Sequence, residues 1–455
     1  MMSSLTRAVC VVSLLINLCF FNFIFIRRQG ALTWTRKSAE EAEEVASIDC
    51  SGHGTAFLDG ALSNGGKPVC ECSLCYGGPY CSEILPDCPA NADGGDPLFL
   101  QPYWIQNAAT SAVTVSGWHR MSYSFVKSSM LSDELVRQIQ KLHETVGNAV
   151  TDGKFIVFGV GSTQLLHAAL YALSDDDRLS KPVNVVALAP YYSMYQEHGT
   201  MFNTRNFEWQ GDVSLWKNIS NNSTSKSFIE IVTSPNNPDS KLRQPILEGP
   251  FARIMYDHAY YWPHYSAIPA PANGDLMIFT LSKITGHAGS RFGWAIIKDA
   301  DVFQRMVTYL QYNTLGLSHE TQVRALELLK VVLEDEGKTL FEFGYKTIAN
   351  RWEKLNKIVS ASKYFSLQKL SPQYCNYFQD IHHPSPGYAW LKCEMEENKE
   401  CHKVLEAAGI SGRQGSSFGV EDRYVRLTLL RSDDDFNLLL QRLVSLVSKE
   451  LVDTN

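Results

Sequence analysis

The stretch Thr280-Leu-Ser-Lys283-Ile-Thr-Gly-His-Ala-Gly-Ser-Arg291 places a lysine at the end of an apolar run and an arginine eight residues on. A lysine amine can bind a carbonyl carbon covalently, and a guanidinium can grip a phosphate through two parallel hydrogen bonds. Thr280 and Ser282 add hydroxyl donors beside them. Other polar groups end apolar runs in the same manner. Asp257, in Tyr256-Asp257-His-Ala-Tyr260, occupies an expensive place for a carboxylate unless it finds a partner. Asn237 follows another run in Thr233-Ser-Pro-Asn-Asn237-Pro238. Gly159-Val-Gly161-Ser162-Thr163-Gln164 passes from a strand-like run into a helical one, and helix N-termini bind phosphate through free N–H groups and the dipole. Tyr191 and Tyr192 follow the run ending at Pro190, and either ring could stack on a flat ligand.

Singly, each feature has an ordinary explanation. A loop lysine is usually solvated, a strand-end Asp caps a turn, Asn-Pro marks a turn, and Gly-Ser-Thr caps a helix. Together and in this order they meet the demands of pyridoxal phosphate. That cofactor requires a lysine for its aldehyde, and a cation and backbone donors for its phosphate. It also requires an acid that keeps the pyridine nitrogen protonated, so that the ring accepts electrons from a substrate Cα. Lys283 is the expected covalent attachment point and Asp257 the partner of the pyridine nitrogen. Asn237 and Tyr260 suit the ring oxygen O3′, and Arg291 with the start of the helix suits the phosphate.

These groups need a scaffold that brings strand ends together. Lys154–Phe158, Val183–Ala189, Phe228–Thr233, Ile254–Tyr256, Leu276–Leu281 and Trp294–Ile297 are short apolar runs bounded by turn residues, with helical patterns such as Gln164–Leu173 between them. The alternation predicts a largely parallel sheet covered on both faces, whose ligands bind at the strand ends. From about Ser318 the texture changes. Long amphipathic helices, Glu320–Glu336 and Gly344–Ser360, precede strands at Tyr388–Lys392 and Tyr424–Leu429 and a final helix, Asp434–Leu451. The expected units are residues 1–30 (targeting segment), 31–95 (cysteine module), 96–317 (large cofactor domain) and 318–455 (small domain), with 86–97 as a linker.

At 455 residues the chain exceeds a single core, and a formal charge of −7 offers no attraction to nucleic acid. Ala8–Ile26 carries no charge and as a helix would span ~28 Å, the thickness of a bilayer core. It predicts a membrane-targeting segment, with an uncleaved single-pass anchor favoured over a signal peptide because no A-x-A site follows. Cys50, Cys70, Cys72, Cys75, Cys81 and Cys88 fall in one short Gly-rich stretch, which points to disulfides and an oxidising compartment, either membrane-bound or in the secretory lumen. Cys72-x-x-Cys75 has zinc spacing, but nothing completes a site, so no metal is expected. Asn218-Ile-Ser220, Asn221-Asn-Ser223 and Asn222-Ser-Thr224 are glycosylation acceptors on that route. The heavier positive charge after the apolar segment argues the other way, for a cytosolic body.

The order Gly-Ser-Thr, Tyr-Tyr, Asn-Pro, Asp-x-x-Tyr, Ser-Lys, Arg resembles fold-type I pyridoxal-phosphate enzymes of the aspartate aminotransferase superfamily. More closely, the chain is similar to plant alliinases and tryptophan aminotransferase-related proteins through TWTRKSAEEAEEVASIDCS, GWHRMSY, FGVGSTQL, VTSPNNPD, YDHAYYWPHY, SKITGHAGSRFGWA and YVRLTLL. The resemblance implies an EGF-like module before a large domain with a mostly parallel sheet and a smaller α+β domain. It places Gly161, Ser162, Thr163, Ser282 and Arg291 about the phosphate, Tyr192 as the stacking ring, and Arg426 on the substrate α-carboxylate. Tyr123 would reach the phosphate of a neighbouring subunit, which implies a homodimer. It also implies the pairs Cys50–Cys70, Cys72–Cys81, Cys75–Cys88 and Cys393–Cys401, with Cys375 free. Two chemistries fit: transamination between an amino acid such as tryptophan and a 2-oxo acid, and β-elimination from an S-alk(en)yl cysteine sulfoxide. The Gly-Ser-Thr-Gln string favours the first, and the EGF-like module favours the second. An inactive, membrane-tethered binding protein is the remaining alternative.

Overall fold

The computed structural model describes residues 13, 33–59, 67–125, 129–174, 182–201, 205–217, 227–395 and 399–453. Apart from residue 13, the expected membrane segment Ala8–Ile26 lies outside the described residues, as do the sequon asparagines Asn218, Asn221 and Asn222. Among the described residues no helix is long and apolar enough to cross a membrane.

A helix, α1 (Thr33–Ala46), leads into an antiparallel pair, β1 (Gly54–Phe57) and β2 (Val69–Cys72). Cys50, Ala56 and Cys81 are the buried residues of this module, too small a core to hold without crosslinks. Three disulfides supply them: Cys50–Cys70, Cys72–Cys81 and Cys75–Cys88. All six cysteines of the module are consumed in this way, which removes the zinc alternative. A fourth disulfide joins Cys393 to Cys401, and Cys375 is free and buried. The module docks on the body of the protein. His53 Nδ1 lies 3.0 Å from Asp434 Oδ1, and Arg442 donates to the Cys88 carbonyl at 3.2 Å.

The segment after Cys88, expected to be a linker, is instead built into the body. β3 (Ala90–Asn91) pairs in parallel with Ile410–Ser411 of the C-terminal region. Its Gly and Asp content reads as punctuation in sequence, because the strand is only two residues long and its partner is 320 residues away in Ile410.

Seven strands then form one sheet: β4 (Phe155–Val160), β5 (Val183–Ala187), β6 (Phe207–Asp212), β7 (Phe228–Thr233), β8 (Ala252–Asp257), β9 (Leu276–Thr280) and β10 (Phe292–Ile297). Their spatial order is β4-β10-β9-β8-β7-β5-β6, with β10 antiparallel to both neighbours and every other pair parallel. β7, β9 and β10 are buried at every position, which is why they read as unbroken apolar runs. The exception is Glu230 in β7. Burial raises its pKa, and its carboxylate accepts the Ile246 N–H at 2.9 Å and the Leu247 N–H at 2.8 Å. β6 escaped the sequence reading because FEWQGD is a half-exposed edge strand without an apolar run. β9 stops at Thr280 rather than Leu281. The Thr280 hydroxyl accepts the Ser282 N–H at 3.2 Å and caps the single helical turn Leu281–Ile284.

Both faces of the sheet are covered. On one, α2 (Asp133–Val146) packs through Leu135, Ile139, Leu142 and Val146. On the other lies α3 (Gly161–Ser174), with α4 (Ala300–Thr314) over it. Beyond these come α5 (His319–Leu333) and α6 (Lys338–Val359). α6 begins six residues before the expected Gly344. That glycine sits inside the helix because a Cβ there would stand 2.9 Å from the His264 Cβ. A smaller antiparallel sheet follows, formed by β11 (Phe365–Leu367), β12 (Tyr388–Cys393), β13 (Arg413–Gln414) and β14 (Tyr424–Thr428) in the order β11-β12-β14-β13. The last helix is α7 (Asp433–Asp453). A mostly parallel large domain, a smaller α+β domain and a disulfide-rich module are the fold class the sequence predicts.

Candidate active site

A cavity of about 290 Å³ lies at the carboxyl ends of β7, β8 and β9, between the large domain and the small sheet. Its walls bring together Ser162, Thr163, Tyr192, Asn237, Asp257, Tyr260, Thr280, Ser282, Lys283, Arg291 and Arg426. Strand register does much of this work. Asp257 pairs with Thr233 on one side and Ile278 on the other, so β7 and β8 stop at one level, β9 runs on to Thr280, and all three present their next residues to one space.

Asp257 is 4% exposed. Burial raises its pKa, while the Tyr195 hydroxyl at 2.8 Å, the Ala259 N–H at 3.1 Å and the charge on Lys283 draw it back. Its hydrogen-bond partners are therefore neutral donors only. Tyr195 is itself held by Thr233 Oγ1 at 2.6 Å. Lys283 lies within the capped turn after β9, and its Nζ donates to the Gly95 carbonyl. The Tyr265 hydroxyl fixes the lysine backbone, donating to Lys283 O at 3.1 Å.

On a second side, Arg291 lies against the start of α3. Gly161 has φ 68°, and a Cβ there would fall 2.3 Å from Arg291 Nη2, so only glycine lets the guanidinium lie over the helix start. The Gly161 N–H donates to Arg291 O at 3.0 Å. Arg291 itself holds a left-handed φ of 49°, and its Nη1 donates to Ala288 O at 2.9 Å. Ser162, Thr163 and the Thr280–Ser282 hydroxyl pair, 3.0 Å apart, border the same end. A guanidinium, hydroxyls and a helix start form a set of donors suited to a phosphate.

The third side comes from the small domain and the segment after the cysteine module. Arg426, 2% exposed on β14, donates to Asn237 Oδ1 at 3.1 Å and to Asp93 O at 2.6 Å. Its Nε is buried without a partner. The Asp93 carboxylate is gripped by Arg413 at 2.7 and 3.1 Å. Tyr388, at the start of β12, places its hydroxyl 2.5 Å from that of Tyr260. Burial raises the Tyr388 pKa, but the charges on Lys283 and Arg426 bring it below the ordinary tyrosine value. Burial leaves Tyr260 well above that value and pushes Tyr192 up to about 12. Tyr192 meets Tyr195 edge to face, with centroids 5.6 Å apart.

Gly161 lies beneath the cavity rather than on its wall. Tyr123 is 76% exposed and outside it. The sequence reading missed Asp93, Gly95, Tyr195, Tyr388 and Arg413. Tyr388 carried a weak signal as a tyrosine opening a strand, where an aromatic reads as core. Asp93 and Gly95 were hidden in the apparent linker.

A family model described as allinase matches residues 90–447, and one described as the alliinase EGF-like domain matches residues 33–88. Tryptophan aminotransferase-related protein 3 of Arabidopsis thaliana is 50% identical over 97% of this chain and 97% of its own length. An alliin lyase of Allium cepa is 45% identical over 95% of this chain and 92% of its own. Among solved structures, an aspartate aminotransferase double mutant of Thermus thermophilus matches with a TM-score of 0.57 at 17% identity, covering 79% of this chain and 92% of that one. At that identity the likeness concerns the fold.

Proposed function

This chain belongs to the alliinase family, and from that premise we propose that it is a pyridoxal-phosphate enzyme that transfers the amino group of tryptophan or a similar amino acid to a 2-oxo acid. One observation supports this above the others. Lys283, Asp257 and Arg426 converge on one cavity, and each has capacity to spare: Lys283 bonds a carbonyl, Asp257 bonds neutral donors, and Arg426 Nε bonds nothing. The residues fit the cofactor. A buried carboxylate without a cationic hydrogen-bond partner suits a protonated pyridine nitrogen, and the Arg291–Gly161 cradle suits a phosphate. Asn237 and Tyr260, which line the cavity, would serve the ring oxygen, and Tyr192 would stack on the ring.

When bound, pyridoxal phosphate supplies an aldehyde for the amino group and a ring that accepts the electrons released at Cα. Arg426 orients the substrate through its α-carboxylate. Lys283 Nζ would remove the Cα proton, and the Asp257 carboxylate would hold a proton on the ring nitrogen.

A second reading is an alliinase-type carbon–sulfur lyase, favoured by the match to the alliin lyase over nearly the whole chain, EGF-like module included. The same lysine and arginine serve both reactions. A tenfold preference between them needs only ~1.4 kcal/mol in barrier height. The partner proposed is a second copy of the chain, with its Tyr123 reaching this cavity. The exposure of Trp118, Met121 and Tyr123, 80%, 85% and 76%, supports a face that is covered in the dimer. The four disulfides support a compartment of the secretory route, with residues 8–26 as the targeting segment.

Product release from excess amino acid, first without and then with a 2-oxo acid, tests the choice. One turnover that becomes continuous only with the acceptor supports the aminotransferase. Many turnovers of pyruvate and ammonia from a cysteine sulfoxide without acceptor would make it a lyase.

A further inference from the structure

Tyr388 was not among the residues expected from the sequence, yet it stands between two groups on which the proposed function depends. Its hydroxyl lies 2.5 Å from the Tyr260 hydroxyl, and the two rings meet edge to face at 5.6 Å. The Arg426 guanidinium carbon sits 4.2 Å from the centroid of the Tyr388 ring. A Cβ built on Gly95 would stand 2.9 Å from the Tyr388 oxygen and 3.4 Å from Lys283 Nζ, so both atoms border one point. Tyr388 is 2% exposed and Tyr260 6%, which leaves water little access to compete for either hydroxyl.

The hydrogens can be counted. Each phenol carries one. Two oxygens at 2.5 Å share one of the two hydrogens, and the other must find an acceptor elsewhere. The charged groups facing Tyr388 are Lys283, Arg426 and Arg413, and as cations they only donate. Among the described residues the Tyr388 hydroxyl has one hydrogen-bond partner, the Tyr260 hydroxyl, so the Tyr388 hydrogen is directed to the Tyr260 oxygen. That leaves the Tyr260 hydrogen directed elsewhere, and Tyr260 lines the cavity.

We propose that Tyr388 is a positioning residue for Tyr260: by donating to the Tyr260 oxygen it commits the Tyr260 hydrogen to the ring oxygen of the cofactor. Because Arg426 lies over the Tyr388 ring, this relay also joins the carboxylate anchor to the ring-oxygen donor. The inference rests on the reading that the chain holds pyridoxal phosphate with Tyr260 at O3′. A hydrogen bond donated to that oxygen favours the state in which the oxygen carries more negative charge, which is the state without a proton on the nitrogen joining lysine and cofactor. The absorbance band of the lysine-bound cofactor therefore titrates at lower pH when the relay is intact. Donors in a chain polarise one another, so weakening the first weakens the second.

The experiment is a spectroscopic pH titration of the full chain loaded with pyridoxal phosphate. Tyr388→Phe, which keeps the ring and removes one oxygen, is expected to raise the midpoint by about half a pH unit. Tyr260→Phe is expected to raise it further, and the double variant to match Tyr260→Phe alone. Replacing Tyr388 by 3-fluorotyrosine keeps ring, hydroxyl and packing but makes a stronger donor, and is expected to lower the midpoint. It serves if the phenylalanine variant does not fold. An unmoved midpoint in the folded variants overturns the relay, as does a Tyr388→Phe shift that survives on the Tyr260→Phe background. If the unaltered chain shows no lysine-bound band at all, the cofactor reading beneath the relay fails with it.

Discussion

The cavity has two walls of different construction. On the large-domain wall, Asn237, Asp257, Thr280 and Lys283 sit at or just past the ends of three adjacent strands, and the sheet register gathers those ends on one side of the cavity. The opposite wall joins Asp93, Gly95, Tyr388, Arg413 and Arg426, drawn from segments more than 290 residues apart and held to one another by ion pairs and hydrogen bonds. The first wall is a property of the fold, and the second is an agreement among side chains. Damage to the first should therefore cost chemistry without costing shape, whereas damage to the second should cost substrate binding first.

The largest effect tests the first wall. Lys283→Ala should lower turnover by roughly 10⁴-fold or more, with the melting temperature unchanged, because the lysine bonds only a carbonyl. A chain that kept its activity would refute the assigned role.

Asp257→Asn should cost roughly 10²–10³-fold in activity. Its stability effect runs the other way. Burial raises the Asp257 pKa, so the folded chain holds that proton more tightly than the unfolded chain does. The contribution to stability is present at low pH and is lost as pH rises past the ordinary carboxylate range. At neutral pH the cofactor-free asparagine variant should melt higher than the parent, and a calorimetric scan against pH would reveal a loss of slope. An equal or lower melting point would mean that the carboxylate is solvated better than its burial implies.

Arg426→Lys probes the second wall. A lysine cannot reach Asn237 and Asp93 together, so kcat/KM should fall about 10²-fold, mainly through KM, with the cofactor band intact. A fall confined to kcat would place Arg426 with the first wall.

The smallest effect concerns the clasp. Breaking Cys75–Cys88 with paired serines frees the segment leading to Asp93 and Gly95, and KM should rise about three- to tenfold with cofactor loading unchanged. An unchanged KM would mean that β3 alone holds that segment.

The same contrast explains what could be read in the sequence. Lys283, Asp257 and Asn237 each end an apolar run, so local pattern and chemistry point to one residue. Gly161 was legible because a strand-to-helix turn carries its own signature, and Arg291 because a guanidinium in the Gly-containing loop after Lys283 suits a phosphate. Arg426 came only from resemblance, since a buried arginine in Tyr-Val-Arg-Leu reads as an ordinary strand. Asp93 and Tyr388 gave almost no local sign. Their roles arise from partners 320 and 128 residues away, Arg413 and Tyr260, and no window along the chain contains both members of either pair. β6 was lost for a simpler reason, because an edge strand has one neighbour and little need of apolar residues.

The Gly95 carbonyl that receives the Lys283 amine precedes it by 188 residues, and Cys88 lies only a few residues before Gly95. On a ribosome adding 5–20 residues per second, that interval is roughly 10–40 s. Disulfide formation begins on a similar timescale. The crosslinked module and the strip of chain behind it can therefore be complete before the lysine they will cover has been synthesised. The small amino-terminal module would then act as a starting jig, built first, on which the far end of the chain later closes its active site.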